Sequence, residues 1–90
     1  MQFRQILRKL GKTKQGKIKL REILDRYKHR LTQREYDILY MTYLKRELIG
    51  KICRELHFCR TSYFNSLNTT LAKLETLLSD TTMREIVQIA

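Results

Sequence analysis

The sequence predicts a small all-α protein of about five or six helices, and three observations support this class. Proline is absent and only three glycines occur among 90 residues, so the residues that usually break helices are scarce. Apolar residues recur at intervals of three and four along most of the chain, which is helical spacing. A chain of 90 residues also has the size of one domain, so residues 1–90 are predicted to fold as a single unit.

The N-terminal third of the chain, residues 1–30, is predicted to be a basic helical segment. Its first helix covers about 2–10 and has an apolar stripe made of Phe3, Ile6, Leu7 and Leu10. A loop is predicted from Gly11 to Gly16, and helical spacing resumes over about 17–29. The segment contains eleven Lys and Arg residues but only two acidic residues, a net charge of +9 out of +10 for the whole chain. This asymmetry favours a polyanionic partner, and nucleic acid more than a membrane surface.

A third helix is predicted over about 33–45, because Thr32 and Glu35 have the spacing of a capping box. In that motif each side chain satisfies a free backbone N–H near the other residue. A short fourth helix is predicted over about 48–56, and residues 57–59 are predicted to form the turn that follows it.

A fifth helix is predicted over about 60–78, with an apolar stripe made of Tyr63, Leu67, Leu71 and Leu74. Thr82 and Glu85 repeat the capping-box spacing, so a last helix is predicted over about 82–89. Within the one domain we therefore distinguish a basic N-terminal segment, a central segment over 31–78 and a C-terminal helix in 79–90.

The central segment matches a family pattern at a series of positions. Its start, L-T-x-R-E followed by spaced apolar residues, is matched by Leu31, Thr32, Arg34, Glu35, Ile38, Leu39, Tyr43 and Leu44. The next helix, the turn and the helix after it are matched by Ile52, Cys53, Leu56, Phe58, Cys59, Arg60, Thr61, Ser62, Leu67, Leu71 and Leu74. Residues 31–74 thus resemble the helix-turn-helix of region 4 of sigma-70-type factors and of related small phage transcriptional regulators. The resemblance covers 44 of the 90 residues and implies that the second helix of the motif lies in the DNA major groove.

Three positions depart from that family. His57 stands where the family usually has glycine, at a turn position that tends to need a positive φ. Cys59 replaces the usual serine at the start of the next helix and is a weaker cap. Leu48 stands where the first helix of the motif normally has a Ser or Thr cap. We expect these departures to weaken local signals without changing the fold.

The predicted recognition helix, about 60–72, has a polar face opposite its apolar stripe. The candidates for reading base edges are Arg60, Thr61, Ser62, Asn65, Asn68 and Thr69. Asparagine can form two hydrogen bonds with adenine, threonine can contact the thymine methyl group, and arginine can read guanine or hold a phosphate. Because this face has a single cation, phosphate contacts are assigned to Lys12, Lys14, Lys17, Lys19, Lys45, Arg46, Lys51 and Arg54. An ordinary solvated helix face is the alternative interpretation.

Catalytic and metal-binding patterns are weak in this sequence. Cys53, His57 and Cys59 lie within seven residues, but a zinc site needs four ligands and usually has its paired cysteines closer together. Neither thiol has an orienting third group in the sequence, and the carboxylates form no acid–base pair. We therefore predict no enzymatic activity, no cofactor and no metal.

These observations favour a sequence-specific, double-stranded DNA-binding protein that regulates transcription. Two alternatives stay open: an interaction protein that binds RNA polymerase without reading DNA, and a non-specific nucleic-acid binder. No apolar run approaches the roughly 20 residues that span a bilayer, so no membrane partner is expected and the chain is expected in the cytoplasm.

The last predicted helix has an apolar set made of Met83, Ile86, Val87 and Ile89. Two uses fit this set. The helix can fold back to complete a thin core, or it can pair with its copy in a homodimer.

Overall fold

The computed structural model describes residues 2–90 and has an all-α fold. Its helices are Phe3–Leu10 (α1), Lys14–Tyr27 (α2), Gln33–Leu39 (α3), Ile49–Leu56 (α4), Arg60–Leu77 (α5) and Asp80–Ile89 (α6). A short 3-10 turn, Lys28–Arg30, follows α2, and a π-helical turn, Tyr40–Leu44, continues α3. The described residues contain no β-strand, so the predicted fold class is confirmed.

The connection between α1 and α2 is shorter than predicted. The loop predicted from Gly11 to Gly16 is wrong in its second half, because α2 already begins at Lys14. Thr13 is the N-terminal cap, and its hydroxyl accepts the backbone N–H of Gly16 at 2.9 Å. Gly16 is buried, and a Cβ built there would lie 2.1 Å from the carbonyl oxygen of Leu10. Because Gly16 has no side chain, the backbone of α2 can lie directly against the backbone at the end of α1.

The capping box at the start of α3 is confirmed. The Thr32 hydroxyl accepts the Glu35 N–H at 3.1 Å, and the Glu35 carboxylate accepts the Thr32 N–H at 2.8 Å. The helical region over 33–45 was predicted, but its widening into the π-helical turn was not. Arg46, two residues after the end of the π-helical turn, has a positive φ of 54°.

One apolar core holds the helices together. The predicted stripe of α1 is buried, as is that of α5, and the two belong to the same cluster as Leu20, Ile23, Leu24, Ile38, Leu39 and Ile52. Because α1 packs against α2, α5, α6 and the π-helical turn, the basic N-terminal helix is part of this core and is not a detached arm. None of the described helices combines the length and the hydropathy that crossing a bilayer requires.

The last helix begins earlier than predicted. The capping box assigned to Thr82 and Glu85 is wrong, because Ser79 is the cap and its hydroxyl accepts the Thr82 N–H at 3.2 Å. Thr82 lies inside the helix and is buried, which a solvated cap would not be. The burial of Thr82 places it inside the helix, and the start of the helix therefore lies at Ser79.

The C-terminal helix completes the core, which is one of its two predicted uses. It packs on α1 and α2, Ile86 is fully buried, and Met83 and Ile89 are partly buried against the same cluster. Glu85 forms an ion pair with Lys19 of α2. Of the apolar set, Val87 is 49% exposed and Ile86 is inaccessible to a second chain. A homodimer through this helix stays a prediction, and it would have to rest on Val87 and the exposed part of Met83.

Candidate nucleic-acid interface

The centre of the candidate site consists of α4, a three-residue turn and α5. The chain leaves α4 at His57, which has a left-handed backbone with φ 59°. The Phe58 N–H then reaches back to the carbonyl oxygen of Cys53 at 3.1 Å, which closes the turn. The positive φ predicted at His57 is confirmed. Cys59 precedes α5 without a side-chain capping hydrogen bond, in agreement with its predicted weakness as a cap.

Packing fixes α5 against the rest of this unit. Ile52 and Cys53 of α4 are buried, as is Tyr63 of α5. The ring of Phe58 meets the Tyr63 ring edge-on, with 6.1 Å between centroids. The Tyr63 hydroxyl shares a hydrogen bond of 2.8 Å with the Thr42 hydroxyl. The first turns of α5 are therefore held rigidly on their inner side.

The outer side of α5 brings the predicted base-reading residues onto one exposed surface. Arg60, Thr61, Ser62, Asn65, Asn68 and Thr69 are all exposed, while Tyr63, Leu67, Leu71 and Leu74 face the core. Three members of this exposed face make side-chain contacts within the chain. The Ser62 hydroxyl lies 3.4 Å from the Cys59 sulfur. The Thr69 hydroxyl donates to the Asn65 carbonyl oxygen at 2.9 Å, and the side-chain oxygen of Asn68 accepts a hydrogen bond from Arg4.

The predicted phosphate-binding residues fall into separate groups. Lys51 and Arg54 of α4 line one surface depression together with Arg60 of α5, although Lys51 also pairs with Glu47 at 3.3 Å. Lys45 is exposed at the end of the π-helical turn. Lys51 and Arg54 therefore lie beside the start of the predicted recognition helix.

The lysines of the N-terminal segment lie elsewhere in the fold. Lys12, Lys14 and Lys17 are exposed around the start of α2, a helix that packs against α1, the π-helical turn and α6. Lys19 is only partly exposed because its ammonium group is paired with Glu85. The structure does not bring Lys19 together with the α5 face, and its charge is already neutralised by a neighbour.

Two arginines near the site were not among the predicted residues. Arg4 and Arg8 of α1 line a cleft beside α5 together with Arg46, which was predicted. Burial raises the pKa of Tyr43 in this cleft to about 12, although the positive charges of Arg4 and Arg8 act in the opposite direction. Their spacing of four residues on α1 was visible in the sequence, but only the tertiary packing of α1 shows which side of α5 they approach.

A third unpredicted arginine lies on the opposite flank of α5, next to the turn. The Arg34 guanidinium stacks over the Phe58 ring at 5.1 Å from its centroid. One of its N–H groups donates to the Leu56 carbonyl oxygen at 3.5 Å, a long hydrogen bond. The family pattern contains this arginine, but the sequence alone did not show that it contacts the turn.

The two cysteines differ in exposure. Cys53 is a buried residue of α4, whereas Cys59 is exposed. Hydrogen bonding with the Ser62 hydroxyl, 3.4 Å from the sulfur, lowers the pKa of the Cys59 thiol below 9.0. Within residues 2–90, no three His, Cys, Asp or Glu side chains are grouped in a way that could hold a metal ion.

Comparison with known families gives a match over residues 4–75 to the family described as Protein of unknown function (DUF1492). The matched range begins in α1 and ends in α5, so it includes both the basic first helix and the helix-turn-helix candidate. No curated protein and no solved structure matches the chain.

Proposed function

We propose that this chain, which belongs to the DUF1492 family of proteins of unknown function, is a sequence-specific, double-stranded DNA-binding regulator of transcription. The observation that carries the proposal is the polar, exposed face of α5 directly opposite its buried stripe. A helix held rigidly on one side and polar on the other can present its outer side chains to the edges of bases.

The dimensions of α5 suit this role. Its 18 residues give a rod of about 27 Å, at 1.5 Å per residue, and a major groove about 12 Å wide accepts a helix. The outer face contains Thr61 and Asn65 in the first two turns, which are the turns that reach base edges in helix-turn-helix proteins. Asn65 is suited to adenine and Thr61 to a thymine methyl group.

Charge supports the same ligand. Lys51, Arg54 and Arg60 lie together at the start of α5, where a phosphate backbone beside the groove would pass. Phosphate contacts of this kind position a protein on the duplex, and contacts to base edges then supply the specificity. The link to transcription rests on the resemblance of residues 31–74 to the promoter-reading region 4 of sigma-70-type factors.

Selection of bound sites from a random pool of duplex DNA tests the proposal. The wild-type chain should enrich one sequence, and Asn65→Ala should enrich it less or lose one position of it. Gln88→Ala, an exposed change on α6, is the matched control and should enrich the wild-type sequence. Tight binding with a steep salt dependence but no enriched sequence would replace the proposal with non-specific nucleic-acid binding.

Binding of RNA polymerase without DNA reading is the second candidate, and exposed apolar residues near α4 favour it. Leu48 is 80% exposed at the start of α4, and Phe64 is 41% exposed on α5. Ile49 lines one depression with Leu48 and another with Phe64, so these apolar side chains are linked along the surface. Contiguous exposed apolar patches mark protein contact surfaces. Capture of RNA polymerase by the wild-type chain but not by Leu48→Ser, with no enriched DNA site for either protein, would favour this candidate.

A further inference from the structure

Three arginines converge on one cleft along the flank of α5. Arg4 and Arg8 come from α1, and Arg46 follows the π-helical turn. The cleft has a volume of about 320 Å³, and its lining includes the aromatic side chains of Tyr43 and Phe64. Residues far apart in the chain thus supply one concentrated positive charge.

The charges in this cleft are not neutralised by the protein. The ion pairs formed by residues 2–90 use Lys19, Arg26, Lys51 and Lys73 as their cations, and none of the three arginines. Glu47 is the acidic residue that lines the cleft, and its carboxylate is paired with Lys51. An anion bound in the cleft would therefore interact favourably with all three arginines.

The backbone at Arg46 gives a second, independent indication. With φ 54°, Arg46 occupies a left-handed position that is usually taken by glycine at the end of a helix. The Glu47 N–H bonds to the Met41 carbonyl oxygen at 2.9 Å, which holds the chain in this turn. Backbone strain that persists in a folded protein is often found where a side chain has a task. Arg46 lines the cleft with its side chain, whereas glycine at this position would contribute no side chain to the cleft.

The position of the cleft identifies the anion. Tyr63, Phe64 and Leu67 of α5 line its wall, and Arg4 reaches beyond them to Asn68 on the outer face of the helix. We propose that the cleft is a clamp for a backbone phosphodiester of the DNA strand that borders the groove holding α5, with Arg4, Arg8 and Arg46 as its donors. The inference rests on the proposed function, since it names the strand contact made by the same helix. Guanidinium groups suit this ligand because their planar fork donates two parallel hydrogen bonds to phosphate oxygens.

Arg46→Gly separates this role from any role in folding. Glycine relieves the backbone at this position, so the variant should melt at a higher temperature than the wild type. It should nevertheless bind both the selected site and random DNA more weakly, by a similar factor. The slope of log affinity against log salt should become shallower by about 0.9, the value expected when one phosphate is no longer neutralised. Arg8→Gln leaves the backbone at Arg46 unchanged and should give the same loss of affinity.

Arg84→Gln is the matched control. Arg84 is an exposed arginine on α6 that does not line the cleft. Its replacement removes the same charge and should leave affinity and salt slope at the wild-type values. Ethylation of individual phosphates in the selected site should locate one phosphate that matters to the wild type and not to Arg46→Gly.

The outcomes separate this inference from the proposed function. If the wild type binds a selected site and Arg46→Gly and Arg8→Gln bind it with unchanged affinity and slope, the clamp is wrong and the proposed function stands. If the wild type binds no duplex DNA, the proposed function fails and the clamp fails with it. A loss of affinity confined to one sequence would also overturn the clamp, because a phosphate contact acts on all sequences.

Discussion

Arg4 of α1 donates a hydrogen bond from its guanidinium group to the side-chain oxygen of Asn68 in α5. The contact ties the basic first helix to the outer face of the proposed recognition helix. It also engages an atom that base reading needs, because asparagine pairs with adenine through its oxygen and its amide nitrogen together. The two asparagines on this face are therefore not equivalent.

The first prediction concerns these asparagines. Asn65→Ala should cost about 1–3 kcal/mol of binding free energy on the selected site and much less on random DNA. Asn68→Ala should have a smaller effect on specificity, because the Asn68 oxygen is already shared with Arg4. Binding titrations of both variants with both DNAs provide the measurement. Equal losses on the two DNAs for Asn65→Ala would show that this residue does not read a base.

The second prediction concerns the lysines at the start of α2. Replacement of Lys12, Lys14 and Lys17 by glutamine should weaken binding to all sequences. It should also flatten the salt slope by up to about 0.9 for each phosphate that is no longer neutralised. Lys19→Gln should leave the slope nearly unchanged, because the Lys19 ammonium is paired with Glu85. An unchanged slope in the triple variant would assign this part of the basic segment to a protein partner.

Features set by local sequence were predictable, and features set by packing were not. The stripe from Phe3 to Leu10 follows from helical periodicity, and the Thr32 capping box follows from its spacing. Gly16 was misread as a loop residue because its role is the close approach of α2 to the Leu10 carbonyl, a tertiary contact. Ser79, the true cap of α6, was missed because the burial of Thr82 inside the helix is a tertiary feature.

The same distinction applies to the candidate site. Helical spacing alone places Thr61, Asn65 and Asn68 on the outer face of α5, opposite the core stripe. The convergence of Arg4 and Arg8 with Arg46 depends on how α1 packs across the end of the π-helical turn. Helical periodicity in the sequence does not show how α1 packs on the π-helical turn, so the arginine cleft could not be predicted from it.

The third prediction concerns pH and the start of α3. Partial burial raises the pKa of Glu35, but the Thr32 N–H and Lys73 outweigh it and hold the pKa below 4.5. A carboxyl with a lowered pKa in the folded state stabilises the fold above its unfolded pKa, and this stabilisation is lost as pH falls through the folded value. Glu35→Gln should therefore reduce stability at pH 7 and have little effect near pH 3.

Urea unfolding at the two pH values measures this difference. The loss at pH 7 should be about 0.5 kcal/mol, the size expected for a partly exposed ion pair such as that with Lys73 at 3.0 Å. Thr32→Ala is the matched variant, because it removes a neutral hydrogen bond of the same capping box. It should cost about 1 kcal/mol at neutral pH. An equal effect of Glu35→Gln at both pH values would contradict the charge-based explanation.

The fourth prediction concerns the two thiols. Iodoacetamide should modify exposed Cys59 well before buried Cys53, as peptide mass mapping can show. Because hydrogen bonding with Ser62 lowers its pKa, the labelling rate of Cys59 should reach half its maximum below pH 9.0. Bound duplex should slow the labelling, since Cys59 immediately precedes Arg60. Equal labelling rates with and without a saturating selected site would place the DNA away from the start of α5.

Cys59→Ser is a useful companion to that experiment. Serine is a stronger helix cap than cysteine, and α5 begins without a side-chain capping hydrogen bond. The variant should melt at a higher temperature and should lose rapid labelling. A lower melting temperature would mean that the thiol makes a packing interaction that serine cannot replace.

The last prediction concerns α6. Ile86 is fully buried, so Ile86→Ala should destabilise the fold by about 2–5 kcal/mol, a large part of the stability expected for a domain of this size. Val87→Ala, at the neighbouring exposed position, should change stability by less than about 0.5 kcal/mol. A chain ending at Ser79 should lose at least as much stability as Ile86→Ala, because it removes buried Thr82 as well. Urea unfolding measures the stability of the three proteins, and wild-type stability in the shortened chain would show that α6 is not part of the core.

Sedimentation of the full chain over a range of concentrations tests whether α6 also mediates self-association. If a dimer forms through α6, Val87→Arg should dissociate it without unfolding the monomer, because Val87 is the apolar residue that α6 leaves half exposed.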